Sequence, residues 1–228
     1  VSDEQGFFVL PEGVNPNGYA LIAVGGVNVD TGIVNTTALK APAGSKTINP
    51  ITTIVQSLVD SGEAADVESA SAAVVSAFGL TEGTDLTSFD PISEIATGGD
   101  SNALVAQKAA VQIVMVVSLA SADSDGANAS AKADAVFSNI ASKIVATADS
   151  GGTIDFSDSG TVADVLDGVE VSDSVVSSIA DASADIQQSS SLGAIQGVQS
   201  EYLDQVAPNA PTELSIDTPT ADTTPSLR

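Results

Sequence analysis

Two carboxylates in one loop, Asp155 and Asp158, with Asp149 just ahead of them, are the side chains best spaced to hold a hard cation. Calcium takes its ligands from carboxylate and carbonyl oxygens, and the Gly/Ser/Asp stretch 150–160 offers both. Asp155 and Asp158 are therefore the candidate metal ligands and calcium the candidate ion. The competing reading, which the loop's composition favours, is a flexible, solvated acidic loop. Asp123-x-Asp125-Gly126-x-Asn128 also has a calcium-loop look. Its Gly comes too early and no Glu follows at the required distance, so a helix–helix turn with Asp and Asn as caps is the better account. Asp164 with Asp167, and Asp181 with Asp185, have the spacing of one helix face and belong on exposed faces. A carboxylate pair for glycoside hydrolysis would need a cleft with aromatic platforms, and aromatics are only 4% of this chain. Lys108 and Lys143 stand out as the cations near apolar helices, where each pairs with an Asp or lays its stem along apolar surface. Nothing supports a Schiff-base role for either. Asn35-Thr36-Thr37 and Asn128-Ala129-Ser130 are glycosylation sequons in a host that uses them. No catalytic and no cofactor-binding residue is assigned, and no enzyme is expected.

Composition narrows the chemistry further. The 228 residues include no His and no Cys. That excludes a Ser-His-Asp triad, thiolate chemistry, disulfides, zinc–thiolate sites and iron–sulfur clusters. With 30 acidic against 6 basic side chains the net charge is −24, and such a field repels phosphates, so no nucleic-acid partner is expected. Acidity of this kind suits saline or calcium-rich surroundings; it also simply keeps a chain soluble, and both readings stand.

The elements that must position these residues are mostly helical. From Ile48 onward Asn49-Pro50 suits a helix start, and Ile51, Ile54, Val55, Leu58 and Val59 recur on one face up to Gly62. A second helix covers 64–78, capped by Gly79, and a turn at Phe89-Asp90-Pro91-Ile92 leads into a short one. Two long helices follow, 101–122 and about 128–148, with Asn128 or Ser130 capping the second; a short loop makes them antiparallel neighbours. Shorter helices begin at Thr161 and at Ser172 or Asp173, and the last runs from Leu192 to Val206. The apolar stretch Ala109–Ala122 is shorter than the roughly 20 residues of a membrane span. It reads as the central helix of the bundle, packed against 48–60 and 130–148, with no membrane span expected. Val111, Val114, Met115 and Leu119 share one of its faces.

The ends differ from the middle. Gly6–Leu10, Tyr19–Val24 and Ile33–Leu39 are short β-type runs separated by turn residues. They are too few for an independent sandwich, so they either close a β-domain or pack on the helices that follow. After Ala207 the chain holds four of its nine Pro, Pro208, Pro211, Pro219 and Pro225, and reads as a linker or the first strand of another domain. The expected organisation is a β-rich element over 1–45, a mainly α irregular bundle of about seven helices over 46–206, and an extended tail over 207–228. The opening Val1-Ser2-Asp3-Glu4, without an initiator Met, reads as a piece of a longer chain.

Gly25-Gly26, Asp30-Thr31-Gly32, Leu39-Lys40-Ala41-Pro42-Ala43-Gly44 and Asn49-Pro50-Ile51-Thr52-Thr53 together resemble a segment of very large bacterial secreted or cell-surface repeat proteins, adhesin-like or RTX-type. Asp90-Pro91-Ile92 resembles a corner that recurs there. Ala210-Pro211-Thr212 and 217–225 resemble the entry of a bacterial immunoglobulin-like repeat. The resemblance covers about a quarter of the chain and singles out no binding residue. It implies an extracellular or cell-surface location, with other domains of the same long chain or surface components as partners. The function it implies is non-catalytic: a structural or interaction domain in adhesion or surface assembly. The alternative is a ligand-binding module holding an apolar molecule or a glycan between helices.

Overall fold

In the computed structural model the described residues are 8–26, 37–98, 101–122 and 126–206. Among them the chain is mainly α: eight helices and one two-stranded antiparallel ribbon. The ribbon pairs β1 (Leu21–Ala23) with β2 (Leu39–Ala41), Ile22 standing opposite Lys40. The helices are α1 (Pro50–Ser61), α2 (Val67–Ala77), α3 (Pro91–Ala96), α4 (Ser101–Ser121), α5 (Gly126–Asp149), α6 (Ser159–Val165), α7 (Asp173–Gln188) and α8 (Leu192–Val206).

Local chemistry sets the boundaries. Asn49 caps α1: its Oδ1 accepts from Thr52 N at 2.9 Å and Thr52 Oγ1 accepts from Asn49 N at 2.9 Å, a reciprocal box that satisfies two otherwise orphaned donors. Pro50 takes the first turn, and Gly62, at φ 76°, turns the chain left-handed at the end. Asp66 caps α2 in the same way with Ser69, so that helix starts three residues later than the periodicity predicts. Asp90 caps α3 through Ile92 N and Ser93 N, and Asp158 caps α6 through Thr161 N.

The apolar face read for α1 is the one it buries: Ile51, Ile54, Val55 and Leu58. α4 is the hub. It packs on α5, α7, α8, α3 and α1, and Ile113, Met115 and Val116 are wholly buried in it. By length and composition alone α4 is apolar enough to cross a membrane, with mean hydropathy 1.8. The helix begins eight residues before the stretch that reads as its apolar core, which is why that stretch looked too short. Yet 72% of its apolar window is buried within the bundle, as expected for a helix that is apolar nearly all round.

Several expectations are corrected. Val114 is half-buried rather than inward, and α7 and α8, not only α1 and α5, surround α4. Residues 8–10 of the Gly6–Leu10 run form no strand, and the strand expected over Ile33–Leu39 is instead Leu39–Ala41; 33–36 lie outside the described residues. α5 begins at Gly126, ahead of both caps proposed for it. The Asp123-x-Asp125 motif and the tail over 207–228 lie outside the described residues.

The 150–158 loop is not the loose segment its composition suggests. Phe156 is 1% exposed, its ring 6.3 Å from that of Phe78. Ile154 N donates to Ala77 O at 2.7 Å, tying the loop to the end of α2. One buried aromatic, the half-buried Ile154 beside it and one backbone bond fix a segment otherwise made of Gly, Ser, Thr and Asp.

Candidate functional site

The candidate metal ligands act locally. Asp155 Oδ1 accepts from Ser157 N at 2.9 Å, Ser157 Oγ at 2.7 Å and Gln187 Nε2 at 2.8 Å. The last of these joins the loop to α7. Asp158 Oδ2 accepts from Thr161 N at 2.8 Å and Thr161 Oγ1 at 3.1 Å. Both carboxylates are exposed, and among the described residues no three acidic, His or Cys side chains gather as a metal site would require. Asp149, exposed, closes α5 rather than joining the loop.

These bonds hold both carboxyls below the usual range. For Asp155 the leading cause is the Ser157 hydroxyl; for Asp158 it is the Thr161 amide. Asp66 and Asp85 behave alike, led by the Ser69 amide and the Ser88 hydroxyl. A carboxylate whose folded pKa is depressed stabilises the fold above its unfolded value, here 3.8, and that contribution is lost as pH falls through the folded value. Asp158→Asn keeps an oxygen acceptor at the cap but removes the charge. The melting-temperature gap between wild type and this variant should be steady near neutral pH and close as pH drops below 3.8. A gap that persists unchanged in strong acid would show that charge plays no part in the cap.

Calcium can be tested on the same loop. At net charge −24, any divalent cation relieves self-repulsion. Millimolar calcium should raise the melting temperature slightly, and magnesium equally. A large rise with calcium alone would show a specific site at Asp155 and Asp158.

Three lysines join helices to neighbouring segments. Lys143 pairs with Asp164 at 2.6 Å across α5 and α6. Lys108 donates to Gln187 O at the end of α7, at 2.8 Å. Lys132, which sequence reading passed over, lies on α5 and donates to Glu170 O at 2.8 Å. Cations near the carboxyl ends of helices meet carbonyls that lack helical partners. Asn139 adds two more such bonds, to Val165 O and Asp167 O. The Tyr202 hydroxyl, pushed up to about 12 by burial and by its hydrogen bond to Asp185, stays protonated and ties α8 to α7 at 3.0 Å.

The densest polar joint lies where β2 meets α1. Thr53 Oγ1 accepts from Lys40 N at 2.9 Å, and Thr52 Oγ1 reaches Lys40 O at 2.9 Å. Both threonines are buried. Two hydroxyls thus take the place of a neighbouring strand along β2. Pro42-Ala43-Gly44 continues the joint: Gly44 N donates to Pro16 O at 2.7 Å. Gly44 has φ 83°, a left-handed conformation that side chains with a Cβ rarely adopt, which favours Gly at this turn.

Beside this joint β2, α1 and α5 enclose a shallow cleft of about 380 Å³, lined by Lys40, Thr53, Ser57, Asp60, Asp134 and Ser138 among others. Lys40 Nζ lies 3.9 Å from Asp134. Gln56 Nε2 donates to Asp60 at 2.6 Å. Sequence reasoning did not single out Asp60 or Asp134 and noted Lys40 only within a motif; no spacing signal links residues 40, 60 and 134.

No protein-family model, no curated protein and no solved structure matches the chain.

Proposed function

We propose that this chain is a non-catalytic structural or interaction domain of a large secreted or cell-surface protein, acting in adhesion or surface assembly. The observation that carries the reading is the joint between Lys40 and Thr52-Thr53. The residues behind the resemblance to repeat proteins, Leu39–Gly44 and Asn49–Thr53, join a β-ribbon to a helical bundle. A joint of that kind suits a domain that transmits position between neighbours. The helix-tying roles of Lys108, Lys132 and Lys143 support the same view. Antibodies against the chain should label intact producing cells or the culture fluid. Signal that appears only after lysis would reject the surface assignment.

The ligand-binding alternative draws on the cleft beside Lys40. Its lining of hydroxyls, carboxylates, Lys40 and Phe137 suits a ligand with both hydroxyl groups and an apolar face, such as a glycan. Titration with simple saccharides, followed by amide NMR shifts at Lys40, Asp60 and Asp134, separates the two readings. Saturable shifts there favour the binding module.

A further inference from the structure

One dipeptide in the turn ahead of β1 has chemistry of its own. Asn17 is followed by Gly18, and none of the other eight asparagines precedes a glycine. Asn15 and Asn49 precede Pro, which has no N–H, and the remaining six precede Val, Thr, Ala or Ile. The backbone nitrogen that follows an asparagine can attack the carboxamide carbon of that side chain. The attack is fastest where the attacking residue lacks a Cβ to obstruct it. The turn is also open to water: every residue from Pro11 to Ala20 is exposed.

The fold does not require glycine at position 18. Gly13, Gly25, Gly26 and Gly44 have φ between 73° and 92°, where a side chain is strained. Gly18 lies outside that region. A Cβ on it would come no closer than 3.4 Å to any atom beyond its chain neighbours, an ordinary contact. What glycine supplies here is an unhindered nitrogen. That nitrogen donates to Asn15 O at 3.0 Å, a turn bond in an exposed segment of the kind that opens locally at low cost.

We propose that Asn17–Gly18 is a self-modifying site: Asn17 is converted without an enzyme to aspartate and isoaspartate, and the ribbon's hold on the bundle loosens as a result. Gly18 N gives up its proton and bonds to Asn17 Cγ. The Cγ–Nδ2 bond breaks and the side-chain nitrogen leaves as ammonia with that proton. The product is a five-membered imide, whose closure is favoured because both reacting groups belong to one dipeptide. One water then opens the ring. Opening at Cγ gives aspartate. Opening at the main-chain carbonyl gives isoaspartate, whose backbone runs through Cβ and Cγ and is one methylene longer. Either way an amide becomes a carboxylate. The position of the turn gives the change its effect. Pro16 O accepts from Gly44 N at 2.7 Å, and Asn17 Oδ1 lies against Gly44, 2.6 Å from where a Cβ would stand. These contacts hold the segment before β1 to the turn after β2. A backbone lengthened between Pro16 and Gly18 cannot keep them together with the bond from Gly18 N to Asn15 O. The inference goes beyond the structural role proposed above and does not depend on it.

Ageing the full chain for weeks in warm, mildly alkaline buffer, followed by peptide mapping with mass spectrometry, tests the proposal. Asn17 should convert about tenfold faster than any other asparagine, because only its neighbour lacks a Cβ. The products should include isoaspartate, which direct hydrolysis of the carboxamide does not give. Gly18→Ala should melt like wild type yet slow conversion about tenfold. Converted wild type, separated by ion exchange on its added negative charge, should be cut by chymotrypsin within β1 about tenfold faster than fresh chain, since cleavage follows the population of the open form. Aged Gly18→Ala should be cut like fresh chain. An Asn17 that survives as long as Asn102 and Asn139 would overturn the site, whatever the variant does. Conversion to aspartate alone, or a Gly18→Ala chain that converts as fast as wild type, would overturn it equally. A converted chain that resists chymotrypsin as fresh chain does would overturn the loosening of the ribbon.

Discussion

Leu119→Asp and Ile113→Asp should each leave the chain unfolded or molten at room temperature. Leu119 is 4% exposed and Ile113 is fully buried, on the helix that the rest of the bundle surrounds. A carboxylate placed there has no cation to meet. The one basic residue of α4, Lys108, is held at Gln187 O. Burying an unpaired charge, or protonating the acid to avoid it, costs several kcal/mol. That is comparable with the total stability of a domain, about 5–15 kcal/mol. Val114→Asp makes the contrast. Val114 is only half-buried, so its carboxylate can reach water and the variant should fold with a lowered melting temperature. Circular dichroism and size-exclusion chromatography check all three. A folded, monomeric Leu119→Asp would mean that α4 presents this face outward, and the helix would then be a docking or membrane-facing surface.

Val114 also shows how far the sequence could be read. Periodicity located α4 and its burial, because a run of Val, Ile, Ala, Leu and Met broken only by Gln112, Ser118 and Ser121 between Lys108 and Asp123 has few other soluble uses. Periodicity could not rank the faces of a helix that is apolar nearly all round, because that ranking depends on where α7 and α8 arrive. Asn49-Pro50 and Gly62 fixed α1 at both ends, since capping is local chemistry. Asp66 and Asp158 were harder to see as caps. Asp158 sits in a run of polar residues where several side chains could serve, Asp66 follows two alanines that themselves look helical, and only the chain's path decides where each helix starts. The ribbon was legible as β-type but not in register: β2 is displaced toward Ala41 because Thr52 and Thr53 hold Lys40. In the 150–158 loop the many small polar residues hid the effect of one buried ring, Phe156. The candidate site suffered most. Asp155 and Asp158 were chosen for clustering, yet clustering in sequence says nothing about whether their oxygens are already hydrogen-bonded.

Removing both hydroxyls, as in the double variant Thr52→Val with Thr53→Val, should release the ribbon from the bundle. Valine keeps the volume of each buried side chain, so packing changes little and the hydroxyl is what is lost. Lys40 N would lose its acceptor, Lys40 O its side-chain donors, and Asn49 N the acceptor that closes the α1 cap. Each buried group left without a partner costs about 1–3 kcal/mol. Part of that is recovered where water can reach Lys40, which is only half-buried. We expect a loss of about 2–4 kcal/mol in all. The damage should be uneven: helical circular dichroism retained at low temperature, with protease cleavage between residues 8 and 45 greatly accelerated. Thr53→Ser, which keeps the hydroxyl and drops a methyl group, should stay close to wild type and so separates hydrogen bonding from packing. If the double variant melts like wild type and its ribbon remains protease-resistant, the joint does not hold the two parts together. The structural role proposed for the chain would then lose its main support.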